Sequence, residues 1–345
     1  HTRVRGEGQP APLCPPVREK GLLMRRSPCG TVEGAVVWCN LDPCGLLCAA
    51  ITWALLVYAQ ITATAYIIAP WMSGSILGQL HSFLFNFVAL MAYMAHFRAM
   101  TTDPGAVSAR AEAPVDLEDG AAATGVAAPR RFCRRCNAYK PVRAHHCSIC
   151  QRCVVKMDHH CPWVNNCVGI GNHKFFLQFI SYVCLMSMYA MGLVVGRFMS
   201  CVGDADGCGD PAGNLLVVFL LLESLLFGMF TLCMVFDQWT VVSTNQTQID
   251  RLKGEVHASQ TEINEVFGGS GRRCRLDWLL PTRVEFPAEV WEDIMGYRCK
   301  AESEVEMNKY YVPNGGDMGS APSDAGSGHG KVRERKGAGD KDKLG

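Results

Sequence analysis

The chain has 345 residues, 49% of them hydrophobic, with 33 Lys and Arg against 32 Asp and Glu and a net charge of +1. Its mean hydropathy is slightly positive. These totals exclude two ordinary soluble domains, and the apolar residues gather in four blocks, each near the roughly 20 residues that cross a bilayer.

Residues 1–43 mix Arg3, Arg5, Arg18, Lys20, Arg25 and Arg26 with Pro and Gly and read as a basic cytosolic arm. The chain opens on His1, so its authentic start is expected to lie elsewhere, and no n-region, apolar core and cleavage site follow in the order of a signal peptide. Cys14, Cys29, Cys39, Cys44 and Cys48 lie before or at the first apolar block. Juxtamembrane cysteines can be S-acylated, although small residues without a special role are the commoner reading.

Residues 44–100 hold the first two spans, 44–69 and 76–97, joined by a turn too short for anything but a hairpin. Pro70-Trp71 is expected at the far membrane interface. His81, Asn86 and His96 read as polar groups satisfied inside the bundle, with His96 and Arg98 snorkelling at the cytosolic end. Asp103-Pro104-Gly105 stops the second helix, and the Ala-, Gly- and Pro-rich remainder of 101–132 reads as a flexible linker.

Residues 133–174 form a basic, cysteine-rich unit. Residues 175–236 hold the third and fourth spans, 175–201 and 213–236, around a loop, 202–212, that carries Asp204, Asp206 and Asp210. Cys201 and Cys208 lie at this loop, close enough in sequence for a disulfide without requiring one. Glu223 is expected to be buried against a neighbouring helix. A polar C-terminal region, 237–313, precedes a Gly-, Ser- and Lys-rich tail, 314–345, that is expected to be disordered.

The arm, the segment between spans two and three, and the tail carry essentially all the Lys and Arg; the other two loops carry none. Both termini and the cysteine-rich unit are therefore expected in the cytosol. Short spans favour a thinner endomembrane, Golgi or ER, as the compartment.

The stretch from Cys133 to Cys167 holds seven of the eighteen cysteines and four of the ten histidines. Two tetrahedral zinc sites need eight ligands, and the Cys-x-x-Cys spacings 133/136, 147/150 and 150/153 are suited to them. If each site takes three cysteines and one histidine, one cysteine and two histidines remain. A four-cysteine site beside a three-cysteine, one-histidine site would use all seven, and counting does not choose. Asp158-His159-His160-Cys161 permits an Asp that orients a His that deprotonates a Cys, or simply more ligands. Basic zinc modules also bind nucleic acid, but no finger helix separates Cys and His pairs here and spans flank the unit, so no nucleic acid is expected.

The run from Cys133 to Phe176 resembles the cysteine-rich domain of the DHHC family of protein S-acyltransferases. It carries Cys133-x2-Cys136, Lys140-Pro141-x-Arg143, His146-Cys147-x2-Cys150-x2-Cys153, Asp158-His159-His160-Cys161-Pro162-Trp163, Asn166-Cys167 and Gly169. The resemblance extends with less fidelity over about residues 40–270. Asp103-Pro104-Gly105 matches the family's Asp-Pro-Gly, and Asn264 to Gly268 resembles its C-terminal aromatic element. Thr247-Gln248-Ile249-Asp250 stands where the family has Thr-Thr-x-Glu, so a hydroxyl contact from the second position to Asp158 is not carried over.

The resemblance implies an α-helical integral membrane protein with four transmembrane helices and a cytosolic two-zinc domain between helices two and three. It implies one structural zinc on Cys133, Cys136, His146 and Cys153 and another on Cys147, Cys150, His160 and Cys167. Cys161 is then the nucleophile, His159 its base and Asp158 the orienting acid. Acyl-CoA, palmitoyl-CoA in the first instance, is the co-substrate, the residues that bind it being unassigned. Cysteine-containing proteins are the acceptors, and the bilayer is the third partner. The alternatives are a non-catalytic zinc-bearing membrane scaffold, or a metal transporter using His81, Glu223 and His96.

Overall fold

The structure, a computed structural model, describes residues 29–33, 35, 37–72, 74–114, 131–202, 211–255, 262–268, 275–284 and 293–299. The first 28 residues of the arm, linker residues 115–130, Cys208 with its neighbouring acidic residues, Trp291 and the tail lie outside the described residues.

Four helices are long and apolar enough to cross a membrane: Pro43–Met72, Ile76–Thr101, His173–Val202 and Gly213–Thr244. The protein is thus α-helical and membrane-spanning, with the cysteine-rich unit between its second and third spans. Each of the first two helices starts on a side-chain cap. Asp42 Oδ2 accepts the Gly45 N–H at 2.8 Å, ahead of Pro43, and Ser75 Oγ accepts that of Gly78 at 3.0 Å. The first span is α-helical to Ile61, widens into a π-helix over Thr62–Ile68, and closes with Ala69–Met72, which contains the expected Pro70-Trp71.

Small side chains let the spans approach. Ala89, Ala92, Ala95 and Ala99 recur every three or four residues along one face of the second span, all with 0% exposure. They share an apolar cluster with Phe175, Phe176, Phe179 and Ile180 of the third span. Leu77, Phe83, Leu90, Met188, Leu222 and Phe230 point outward, as a lipid-facing surface requires.

The fourth helix runs on to Thr244, about two turns past the end of its apolar block, because Gln238 on that extension is buried against the cysteine-rich unit. Arg98 lies over the Phe175 ring, 5.2 Å from its centre, and donates to the Pro281 carbonyl. His96, by contrast, does not snorkel. It is fully buried between two tryptophans, because both ring nitrogens find partners there.

The cysteine-rich unit is three short antiparallel hairpins: Phe132–Cys133 with Ala138–Tyr139, Ala144–Cys147 with Arg152–Val155, and His159–Cys161 with Asn166–Val168. Strands of this length bury too little to hold themselves together. Neighbouring segments supply part of the support. Residues 103–114, expected within a flexible linker, are ordered against the unit. The Val107 N–H donates to the Cys153 carbonyl, and the Asp103 carboxylate accepts the Gly105 and Ala106 N–H groups at 2.9 and 2.7 Å. Ala111–Glu112 pairs with Arg298–Cys299, and Met295 and Tyr297 fill the space behind. Trp38, from the end of the arm, donates to Asn166 Oδ1, and Arg152 donates to the Thr31 carbonyl. Cys29 and Cys39 form a disulfide.

The C-terminal region packs as well. Phe267 stacks on Trp278 with ring centres 4.9 Å apart, and Gln178 and Lys174 of the third span donate to carbonyls of 278–282.

Two glycines test how tightly the unit meets the helix stop. A methyl at Gly171 would lie 2.2 Å from the Asp103 carbonyl oxygen and 2.9 Å from the Gly105 nitrogen, both backbone atoms that cannot swing away. Gly171→Ala is expected to destabilise by roughly 1–3 kcal/mol, read as a lower unfolding midpoint in detergent. Gly192→Ala, with no atom within 4 Å, should hold or slightly raise that midpoint through helix propensity.

Candidate active site and metal centres

The strand period separates neighbouring residues of the motif. In Ala144–Cys147, successive side chains face opposite ways, so His146 turns towards Cys153, its cross-strand partner, while Cys147 turns to the other face. His146 joins Cys133, Cys136 and Cys153. Cys147 joins Cys150, His160 and Cys167. The donor atoms of each set lie within 4.8 Å of one another.

The spacing suits a metal. His146 Nδ1 lies 3.2 Å from Cys136 Sγ and 3.7 Å from Cys133 Sγ, and Cys136 and Cys153 are 3.7 Å apart. In the second set His160 Nδ1 lies 3.5 to 3.6 Å from its three sulfurs, and Cys150 and Cys167 are 3.5 Å apart. A tetrahedron with bonds of about 2.3 Å to sulfur and 2.0–2.1 Å to nitrogen has edges of roughly 3.5–3.8 Å. Both sets therefore fit a four-coordinate ion with no open position, and among the described residues no other group of this kind is found. His81 and His96 do not converge with Glu223: His81 meets the Tyr189 hydroxyl at 2.7 Å, and His96 is taken up by the two tryptophans.

In the third hairpin His160 stands opposite Cys167, and both belong to the second set. The same alternation turns His159 and Cys161 to the other face. Cys161 is in neither set, is buried, and belongs to the apolar cluster of Ala99 and Phe176 at one end of the spans. Cys161 is near enough to His159 to favour a charged ring. On the far side of the ring, His159 Nδ1 meets Asp158 Oδ2 at 2.8 Å, and Phe176 lies edge-on to the imidazole at 5.3 Å.

Asp158 is buried and fully occupied. Its Oδ1 accepts the backbone N–H of Gln248 at 2.7 Å, and its Oδ2 also accepts from Gln238 Nε2 at 3.1 Å, whose own oxygen accepts from His173. Burial pushes the Asp158 carboxyl up, but the hydrogen bond from His159 and the nearby imidazoles overcome this and bring it down to about 2. Burial pulls His159 down, but the bond to Asp158 and then the nearness of Cys161 outweigh it and hold the ring up at about 9. The signs follow directly. His159 lends its stability in full below 6.5 and loses it as pH rises through about 9. Asp158 lends its own above 3.8 and loses it as pH falls through about 2. The site is therefore built to keep a proton on the imidazole.

The Gln248 N–H is aimed by a helix start. Thr247 and Asp250 form a capping box for Gln248–Lys253, and Arg143 holds Asp250 at 2.7 Å while also binding Asn245. Lys156 pairs with Glu265 alongside. The contact to Asp158 from the Thr247-Gln248 position is thus made by backbone and not by a hydroxyl.

Three asparagines and a histidine fasten the hairpin to the spans. Asn166 Nδ2 donates to the carbonyls of Ala99, Met100 and Thr102, orphan acceptors at the end of the second span. Asn172 donates to Ala99 and Cys167. Asn165, in the left-handed region at φ 46°, donates to the Asn40 carbonyl. Trp53 Nε1 donates to His96 Nδ1, leaving Nε2 to donate to the Trp163 carbonyl at 2.9 Å. Sequence reasoning missed Gln238, His173 and the bridging role of His96. A polar residue just past an apolar block was the one available signal for Gln238.

A family model described as DHHC palmitoyltransferase matches residues 127–255. Palmitoyltransferase ZDHHC7 of Mus musculus is 41% identical over 246 residues, 68% of this chain and 78% of that protein. Palmitoyltransferase ZDHHC3 of Homo sapiens is 35% identical over 66% of this chain and 77% of its own length. Probable protein S-acyltransferase 13 of Arabidopsis thaliana is 31% identical over 67% and 82%. With four spans, two closed Cys3His sets between the second and third, and relatives matched over most of their length, the chain belongs to the DHHC palmitoyltransferase family.

Proposed function

We infer that this chain is a protein S-acyltransferase that moves a fatty acyl group, palmitoyl in the first instance, from acyl-CoA to cysteine thiols of protein substrates. One geometric fact carries the residue assignment. Cys161 is the one cysteine of the motif outside both ligand sets, and it shares a strand face with His159.

His159 takes the Cys161 proton and keeps it as an imidazolium, which Asp158 stabilises and orients. The thiolate attacks the thioester carbonyl of acyl-CoA, CoA leaves as a thiolate, and an acyl-Cys161 enzyme forms. A substrate cysteine then attacks that thioester and Cys161 is restored. The apolar cluster around Cys161 is a suitable surrounding for the fatty chain.

Two zinc ions are the occupants that the donor sets favour, one on Cys133, Cys136, His146 and Cys153 and one on Cys147, Cys150, His160 and Cys167. With closed shells they supply structure and leave the chemistry to the side chains.

The proposed topology has both termini and the zinc unit in the cytosol, from the loop charges. On that topology the Cys29–Cys39 bond faces a reducing compartment where disulfides are rare.

Cys161→Ser should abolish hydroxylamine-sensitive labelling by palmitoyl-CoA and transfer to a partner while metal content stays at its parent level. Labelling that survives would transfer the nucleophile's role elsewhere. Asp158→Asn keeps the shape but removes the charge behind His159. It is expected to slow acyl-enzyme formation by roughly 10²–10⁴-fold in a single-turnover assay, again with metal retained.

A further inference from the structure

Residues 275–283 belong to the C-terminal region, yet side chains of the spans hold them carbonyl by carbonyl. Gln178 Nε2 donates to the carbonyls of Trp278 and Leu280, each at 2.8 Å, and the Tyr182 hydroxyl donates to that of Leu279. Arg98, from the end of the second span, donates to the Pro281 carbonyl at 3.3 Å, and Lys174 Nζ donates to the carbonyl and hydroxyl of Thr282, both at 3.1 Å. Five successive carbonyls are thus met by span side chains. A loop in water leaves such groups to the solvent. In the hydrocarbon of a bilayer each must find its partner within the protein, and a complete set of side-chain donors is what a membrane-embedded loop requires.

The depth of these contacts points the same way. Gln178 and Tyr182 lie five and nine residues beyond His173, where the third helix starts, which is about 8 and 14 Å along its axis. The segment is therefore drawn down beside the apolar block. Its outward side chains are apolar, with Leu276, Leu279 and Leu280 82%, 57% and 45% exposed. They extend the outward-facing surface of the spans, which Phe97 carries next to Arg98 and Leu185 carries one turn beyond Tyr182. Arg275 and Arg283 are exposed at the two ends of the segment, and Asp277, its one acid, lies 3.1 Å from Arg275.

We propose that residues 275–283 are an interfacial anchor, with Leu276, Leu279 and Leu280 among the acyl chains of the bilayer and Arg275 and Arg283 on the phosphates of anionic headgroups. Leucines between arginines suit the boundary where acyl chains give way to charged headgroups. The anchor also reaches the cysteine-rich unit. Trp278 stacks on Phe267 at the end of the helix Glu262–Phe267, and Glu265 of that helix pairs with Lys156, so the bilayer and the unit are joined by a continuous set of contacts.

The test uses the full chain in nanodiscs of phosphatidylcholine with a minority of phosphatidylserine. The photoreactive residue p-benzoylphenylalanine replaces Leu276 or Leu279, each in its own variant, and adducts are identified by mass spectrometry after irradiation. Both positions are exposed, so neither replacement disturbs a packed core. Lipid adducts are expected at both, as at Leu222 on the outward face of the fourth span, and not at Leu252, which is exposed on the helix Gln248–Lys253. Phosphatidylserine should exceed its share of the disc among the adducts at 279, and the pair Arg275→Gln and Arg283→Gln should return it to that share. Adducts at Leu222 with none at 276 or 279 would overturn the anchor. Phosphatidylserine that stays enriched in the double glutamine variant, or is never enriched, would overturn the headgroup assignment.

Discussion

A β-strand turns successive side chains to opposite faces, and the cysteine-rich unit depends on that period of two. In His159–Cys161 it sends His160 to a ligand set and turns His159 and Cys161 together to the other side. In Ala144–Cys147 it divides His146 from Cys147 and so interleaves two ligand sets that a linear reading of the motif would keep apart. Slipping either hairpin by one residue would exchange the two faces, which is why short strands need a cross-link that fixes register. Donor groups drawn from both strands of a hairpin, as with His146 and Cys153 or His160 and Cys167, would supply it on binding a metal ion.

The second constraint is height relative to the spans. The last carbonyls of a helix have no partner within it, and those of the second span are met by Asn166 and Asn172 from the hairpin that carries Cys161. Each such bond contributes only about 0.5–1.5 kcal/mol, but leaving a buried acceptor unmet costs about 1–3 kcal/mol, so the helix end and the hairpin are hard to separate. Cys161 therefore sits where the apolar interior of the spans ends and the polar unit begins.

Much of this was legible in the sequence because ligand chemistry and spacing are local. The four spans follow from apolar blocks and the metal-like unit from the density of Cys and His between Cys133 and Cys167, but spacing left the division of the ligands open, and the two sets and the roles of Asp158, His159 and Cys161 came from the family resemblance. What was not legible depends on distant partners. Gln238 reaches Asp158 across 80 residues, and His96 reaches the Trp163 carbonyl across 67. A histidine at a helix end reads as a snorkelling group until the tryptophans on either side of it are known. Residues 103–114 look like linker by composition because their hold on the unit is made largely by backbone groups, which composition does not register.

Gln248 marks the same limit from the other side. Its place in the chain drew notice because the side chain departs from a family pattern, yet the atom that meets Asp158 is its amide nitrogen. Any amino acid but proline carries that group. The carboxylate is thus indifferent to the letter at position 248 and sensitive to the path of the main chain through Thr247 and Asp250, while the side chain at 248 serves a separate bond, its Nε2 donating to Asp237 Oδ2 at 2.9 Å.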